Sequence, residues 1–203
     1  MEPMAKAKSS PTLDFDSGDP SYKALFGFSG RIGKLLNVPA VQGNADLAGS
    51  LDDFLGAVYA LIQTKHHHFA DREGRPIDIK HVAQRAAQIA KGRVRTTGQW
   101  IAGFYFNNAL FRTAAVYDRV LKIVVGKAAK VDKLRREAQI LYPHWTCSKL
   151  GLVNSQVNDL KHTPRGVHDQ RTVTYDDCVA AIGELLDLID AWIAANVPST
   201  PKS

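Results

Sequence analysis

The spacing of apolar residues near the carboxyl terminus constrains the fold more than any other feature of this chain. Between residues 174 and 197 the apolar side chains recur in alternating steps of three and four, at Val179, Ile182, Leu186, Ile189 and Ile193. Residues at this spacing share one face of an α-helix, and Thr174 and Asp177 form a helix-capping pattern before them. The segment predicts a capped helix with a narrow apolar seam. Such a seam is typical of an intramolecular bundle or of a homodimer interface, and both interpretations are open.

Helical spacing recurs along most of the chain. One apolar face follows Ser50, which is expected to begin a helix, and a long helix is expected at about 97–125. Its first half carries aromatic residues on nearly every side, including Trp100, Phe104 and Phe111, and a helix apolar all round belongs in the middle of a bundle. Further helices are expected at about 78–91, 127–141 and 152–161, and no strand-like pattern is longer than residues 171–174. The fold class is therefore all-α, an antiparallel helical bundle.

The two ends of the chain lack this pattern. Residues 1–20 and 198–203 mix Lys, Ser, Pro and other polar residues without periodicity, which is typical of segments that cannot build a core. We expect a disordered arm at 1–20, a single helical domain at 21–197 and a flexible tail at 198–203. Within the domain, Gly27, Gly30 and Gly33 predict a turn, because no apolar strand precedes them as it would in a phosphate-binding loop.

Composition excludes several classes of protein. Hydrophobic residues make up 45% of the chain and charged residues 23%, and no segment approaches the roughly 20 apolar residues that a membrane helix needs. No apolar segment follows the first lysines, and two cysteines are too few for a disulfide framework, so we expect a cytoplasmic protein without a membrane partner. The run His66–His68 is not expected to bind a metal, because consecutive helical residues point about 100° apart. We expect no metal and no cofactor.

Charge is distributed unevenly along the chain. Residues 75–136 contain 14 Lys and Arg against three Asp, a net charge of +11, whereas residues 174–197 contain five acidic residues and no basic one. The positive segment favours a polyanionic partner such as RNA, because binding to phosphates releases counterions. The alternative is that the basic and acidic helices pack together and neutralise each other.

A polar face lies on the long helix. Tyr105, Asn108, Arg112 and Arg119 follow each other at spacings of three, four and seven, so they share one side of the helix. An arginine in an apolar helix needs a partner, because an isolated buried charge is very unfavourable. Its partner is either an acidic residue such as Glu184 or Asp187, in a structural ion pair, or an anionic ligand bound by Tyr105, Asn108 and Arg112.

The segment from residue 154 to residue 171 carries the most promising chemistry. Asn158, Lys161 and His162 lie where a helix should end, and Arg165 follows in a polar loop. Histidine transfers protons near neutral pH, and the neighbouring positive charges favour a phosphodiester. The alternative is an ordinary helix end, where cationic side chains interact favourably with the helix dipole.

At this segment the chain resembles the HEPN superfamily (higher eukaryotes and prokaryotes nucleotide-binding domain), on the helix order from about Gln99 to Asn196 and the sequence Asn158–His162. The resemblance implies a small helical bundle, often dimeric. Many members are metal-independent ribonucleases of toxin, CRISPR or phage-defence systems. Their motif has an arginine four to six residues ahead of the histidine. Here Ser155, Gln156 and Val157 occupy the region where that arginine should lie, while Arg75 and His81 have the spacing at the head of an earlier helix.

Two hypotheses follow. In the first, the protein binds RNA and cleaves it without a metal, with His162 as the acid–base residue, Lys161, Arg165 or Arg112 balancing negative charge, and Asn158 orienting the substrate or the imidazole. In the second, it is a non-catalytic helical module that uses the apolar seam to form a homodimer or to bind a protein partner.

Overall fold

The computed structural model describes residues 20–68, 97–162 and 173–196. These residues form seven helices and no strand, so the all-α class is confirmed. The expected helix at 78–91, the arm up to residue 19 and the tail at 198–203 lie outside the described residues. The helices are α1 (Pro20–Leu35), α2 (Pro39–Gln42), α3 (Ala45–His68), α4 (Thr97–Val125), α5 (Val131–Leu141), α6 (Ser148–His162) and α7 (Tyr175–Asn196).

The apolar residues of α7 lie at the centre of the bundle, where the helix packs against α1, α3, α4 and α6. Four of the five seam residues are almost completely buried within the chain, namely Val179, Ile182, Leu186 and Ile189, and Ile193 is half-buried. The intramolecular interpretation therefore accounts for the seam. A homodimer stays a prediction, but these four side chains are already covered and cannot supply its surface.

Helices α3 and α4 pack against each other in antiparallel directions and form the most extensive helix pair of the described structure. Small buried residues allow the two backbones to approach, among them Ala57 and Ala60 on α3 and Ala109 on α4. The predicted α4 boundaries are confirmed, whereas α3 begins earlier than expected. Asn44 accepts a hydrogen bond from the Leu47 amide (3.0 Å) and caps the helix, while Ser50 lies inside it, fully buried.

The predicted turn at Gly27–Gly33 is wrong, because all three glycines lie within α1. A glycine inside a helix costs about 1 kcal/mol relative to alanine. Leu25 and Ile32 are fully buried on the inner face of α1, and each contributes about 1.5–3 kcal/mol of burial. Arg31 also binds Asp187 of α7 (2.8 Å) and, through Nε, Asp190 (2.8 Å). Tertiary contacts thus outweigh the local preference against a helix.

Glu184 joins α7 to the beginning of α6. Its carboxylate accepts hydrogen bonds from the amides of Lys149 (3.1 Å) and Leu150 (2.9 Å), two donors that the helix itself leaves unpaired. Its backbone carbonyl accepts the Trp145 Nε1 hydrogen bond at 2.7 Å. Glu184, which the sequence suggested as a partner of Arg112, therefore caps α6 instead.

The predicted cap of α7 is confirmed. The amide and hydroxyl of Thr174 donate to Asp177 Oδ2 (3.0 and 2.8 Å), and the Asp177 amide donates back to the threonine hydroxyl (3.1 Å). Lys149 Nζ lies 2.6 Å from the other carboxylate oxygen. The hydrogen bond from Lys149, followed by those from Thr174, lowers the pKa of Asp177 to about 2.

None of the described helices combines the length and the apolar content needed to cross a bilayer.

Replacing Asp177 with Asn should destabilise the fold in a pH-dependent way. Because the pKa of Asp177 is lower in the folded than in the unfolded chain, its contribution is complete above pH about 4 and is lost as the pH falls towards 2. Asp177→Asn should lower the free energy of unfolding by about 1 kcal/mol at pH 7, the usual value of a helix cap. Urea unfolding over a pH series measures this difference, which should shrink below pH about 4.

The matched control is Asp176→Asn, an exposed neighbour whose carboxylate accepts a hydrogen bond from the Ser21 hydroxyl. Its effect should stay within about 0.5 kcal/mol at every pH, as for most surface substitutions. A deficit in Asp177→Asn that is unchanged down to pH 2 would contradict the assigned interaction.

Candidate functional site

The polar face of α4 is engaged with Asp53 of α3. Arg112 Nε donates to Asn108 Oδ1 (2.9 Å), and its Nη1 donates to Asp53 Oδ1 (3.2 Å), while Arg119 binds the second carboxylate oxygen. The expected ion pair is present, but the expected partners are wrong. Glu184 caps α6 and Asp187 binds Arg31, because α7 presents these two acidic residues to other helices.

Gly56 makes room for the Arg112 side chain. A Cβ atom at Gly56 would lie 2.7 Å from Arg112 Nη1 and 3.1 Å from its Cζ, so the guanidinium passes directly over the glycine. The next turn towards the beginning of α3 carries Asp53. The missing side chain thus lets Arg112 reach the carboxylate.

The arginines at this site remain accessible to solvent. The side chains of Arg112 and Arg119 are 42% and 41% exposed, and they share a single carboxylate. The Arg119 Nε is buried and has no hydrogen-bond partner among the described residues. Tyr105 is half-buried on the same face. The cluster is chiefly a structural bridge between α3 and α4, which is the first of the two interpretations of this face.

Aromatic residues near this bridge are exposed, contrary to the expectation for α4. Phe104 is 61% exposed and Phe111 is 39% exposed, and Tyr59 of α3 is 59% exposed. The prediction that the first half of α4 is buried on every side is therefore wrong at these positions. Phe106 and Leu110, on the other side of the helix, carry the contact with the core.

Two of the three candidate residues of α6 face solvent. Asn158 and Lys161 are exposed at the carboxyl-terminal end of the helix, and His162 is its last residue. The side chain of His162 and the whole of Arg165 lie outside the described part of the chain, so their proximity to Arg112 stays a prediction.

A basic surface on α5 is the feature that the sequence analysis missed. Lys130, which precedes the first residue of α5, and Lys133 and Arg136 on the helix are exposed, recur every three residues, and have no carboxylate partner among the described residues. We refer to these three as the basic row. Their spacing was visible in the sequence, but the net charge of the segment does not separate paired from unpaired cations.

Neighbouring cations of the same segment are paired. Lys122 binds Asp118 (2.6 Å), Lys127 binds Glu137 (2.7 Å), and Arg135 lies 3.6 Å from Asp132. Internal neutralisation therefore explains these residues together with Arg112 and Arg119, but it does not explain the basic row.

The two cysteines are poor nucleophiles. Cys147 and Cys178 are buried as free thiols, and burial raises the pKa of both, that of Cys178 to about 12. A thiol reacts as the thiolate, so neither is activated at neutral pH. Within the described ranges, no group of three or more His, Cys, Asp or Glu is arranged to hold a metal ion.

Comparison with models of protein families, with curated proteins and with solved structures found no match for this chain.

Paired glycine substitutions test the position of Arg112. Gly30 on α1 has open space where a Cβ would lie, so Gly30→Ala should stabilise the fold by about 0.5–1 kcal/mol. Gly56→Ala gains the same helix propensity but displaces the Arg112 guanidinium from Asp53. Its free energy of unfolding, measured in urea, should be about 0.2–1 kcal/mol lower than that of Gly30→Ala, the usual range for a largely exposed ion pair.

A double variant isolates the cause. When Arg112→Ala removes the guanidinium, adding Gly56→Ala should stabilise the protein as much as Gly30→Ala does. Equal stabilisation by Gly56→Ala in the presence and in the absence of Arg112 would contradict the steric account.

Proposed function

We propose that this protein binds RNA through the basic row on α5. The observation that carries the proposal is the set of three exposed cations, Lys130, Lys133 and Arg136, without a carboxylate partner in the described structure. They span about 9 Å along the helix, at 1.5 Å per residue, so their long side chains are able to contact successive phosphates of one strand. Phosphate contacts of this kind supply most of the affinity of sequence-independent binding.

The surroundings of the basic row support an anionic ligand. Acidic residues near the row are already engaged, Glu137 by Lys127 and Asp132 by Arg135. The chain as a whole carries a net charge of +6, which increases the rate of encounter with a polyanion. RNA is the polyanion indicated by the resemblance to the HEPN superfamily, which itself stays a prediction.

Neutralising the basic row should weaken RNA binding. For the double variant Lys133→Gln with Arg136→Gln we expect at least about a tenfold loss of affinity for a single-stranded RNA. The slope of log K against log salt should become less steep by about 1.4, because each lost phosphate contact removes about 0.7. Fluorescence anisotropy at several salt concentrations measures both quantities.

The control variant changes the same number of charges elsewhere. Lys23 and Lys34 are exposed on α1, and no carboxylate partner is found for them in the described part of the chain. Lys23→Gln with Lys34→Gln should leave affinity within about twofold and the salt slope unchanged. Equal losses in the two double variants would show a general charge effect and would contradict a site on α5. A single-stranded DNA of the same length distinguishes RNA from any polyanion.

Cleavage of the bound RNA extends this proposal. Its support is the exposure of Asn158 and Lys161 at the end of α6, beside His162, in a position that a phosphodiester is able to approach. His162 would act as general acid or base, and Lys161 would balance charge on the phosphorane-like transition state.

RNA cleavage in EDTA should therefore be abolished by His162→Ala and reduced at least about tenfold by Lys161→Ala. A gel assay on a labelled RNA, with binding measured in parallel, follows the reaction. The control is His144→Ala, an exposed histidine outside this segment, which should cleave normally. Cleavage that survives His162→Ala would exclude that residue as the acid–base group, while intact binding without any cleavage would leave a binding module.

A further inference from the structure

Three exposed aromatic side chains lie on the outer side of the α3–α4 pair, one on α3 and two on α4. Tyr59 is one turn beyond Gly56 on α3, while Phe104 and Phe111 are seven residues apart and share one side of α4 with Asn108 and Arg112. We define the hairpin face by the residues Asp52, Asp53, Gly56, Tyr59, Phe104, Asn108, Phe111, Arg112, Asp118, Arg119 and Lys122.

Aromatic rings and arginines are the residues that protein interfaces contain in excess. Tyr, Phe and Arg are enriched at interfaces, and buried aromatic anchors carry much of their energy. The hairpin face therefore has the composition of a contact surface between proteins.

Charge on the hairpin face is balanced. Arg112, Arg119 and Lys122 supply three positive charges, and Asp52, Asp53 and Asp118 supply three negative ones. A polyanion gains little on such a surface, since its phosphates would meet as many acidic as basic groups. In a two-fold symmetric dimer the same surface of both copies forms the interface. Positive residues of one copy are then able to face negative residues of the other, so a surface that carries both charges is able to complement itself.

The dimensions of the hairpin face are close to those of a stable interface. From Phe104 to Lys122 the helix extends about 27 Å, and two helices side by side are about 20 Å wide. The projected area of this face is on the order of 500 Å². Because side chains make the surface uneven, its solvent-accessible area is larger than its projected area. The accessible area therefore approaches the roughly 800 Å² per partner of standard interfaces.

We propose that two copies of this chain associate through their hairpin faces, forming a four-helix arrangement across a two-fold axis. The exposed rings of Tyr59, Phe104 and Phe111 pack at its centre. Arg112 and Arg119 of one copy face acidic residues of the other at the rim.

Other exposed apolar residues of the described structure are less suited to self-association. Ile140 is 79% exposed and Leu141 56% exposed, but both follow the basic row on the same short helix. A two-fold contact there would bring like charges together, which disfavours the contact. Phe26 is 55% exposed on α1, close to the exposed Lys23, and its ring already packs edge-on against the half-buried Tyr22 of the same helix.

Sedimentation equilibrium of the full chain, at concentrations up to about 100 µM, measures the proposed association and its affinity. The wild type is expected to be a dimer. Tyr59→Asp and Phe104→Asp, one on each helix, should each raise the dimer dissociation constant at least about tenfold, since each places a desolvated charge in the interface. The exposure of both residues leaves the fold intact, which far-UV circular dichroism verifies.

The matched control is Ile140→Asp, the same substitution at a more exposed apolar residue on α5. It should leave the dissociation constant within about twofold. A wild type that is monomeric at every concentration would overturn the proposal, and so would a dimer that Ile140→Asp weakens but Tyr59→Asp and Phe104→Asp do not.

RNA binding separates this proposal from the preceding one. A monomeric wild type whose RNA affinity falls with Tyr59→Asp would make the hairpin face part of the nucleic-acid site, and dimerisation would be excluded. A dimer that does not bind RNA would support the hairpin face and contradict the role of the basic row. The two proposals therefore fail on different measurements.

Discussion

Burial of α7 is the constraint on which the rest of the described structure depends. Eight of its residues are buried, from Cys178 to Ile189, and α1, α3, α4 and α6 all pack against it. Each fully buried aliphatic side chain contributes about 1.5–3 kcal/mol, so this helix organises the core that the others share. Its apolar seam is buried within one chain, so association of two chains requires another surface.

In the described structure, the acidic residues of α7 hold neighbouring helices in place and, contrary to what the charge distribution along the sequence suggested, do not neutralise the basic segment. Asp187 and Asp190 bind Arg31 of α1, Glu184 caps α6, and Asp177 caps its own helix while it binds Lys149. Within the described ranges, none of these groups forms an ion pair with the basic segment from Arg112 to Arg136. The cations of that segment pair with Asp53 and with nearby acidic residues of α4 and α5, except for those of the basic row, which have no carboxylate partner in the described structure.

The two surfaces that we propose differ in the property that selects a ligand. The cations of the basic row have no carboxylate partner in the described structure, which suits a flexible polyanion whose phosphates release counterions. The hairpin face has balanced charge and exposed rings, which suits an apolar contact with a specific geometry. Arg112 is central to this distinction, because Gly56 allows it to lie across α3 and bind Asp53, which it shares with Arg119.

Local chemistry in the sequence determined the class of fold, because apolar residues at a period of 3.6 residues specify helices wherever the chain is buried on one side. The same holds for the cap at Thr174 and the limits of α4, which depend on neighbours within a few residues. Tertiary structure alone decided that Gly27–Gly33 is helical, that Phe104 faces solvent, and that Asp53 rather than Glu184 or Asp187 binds Arg112. Spacing along one helix gives the direction of each side chain around its axis, but it does not say which helix packs on which side, and that choice determines whether a charge is paired or left free.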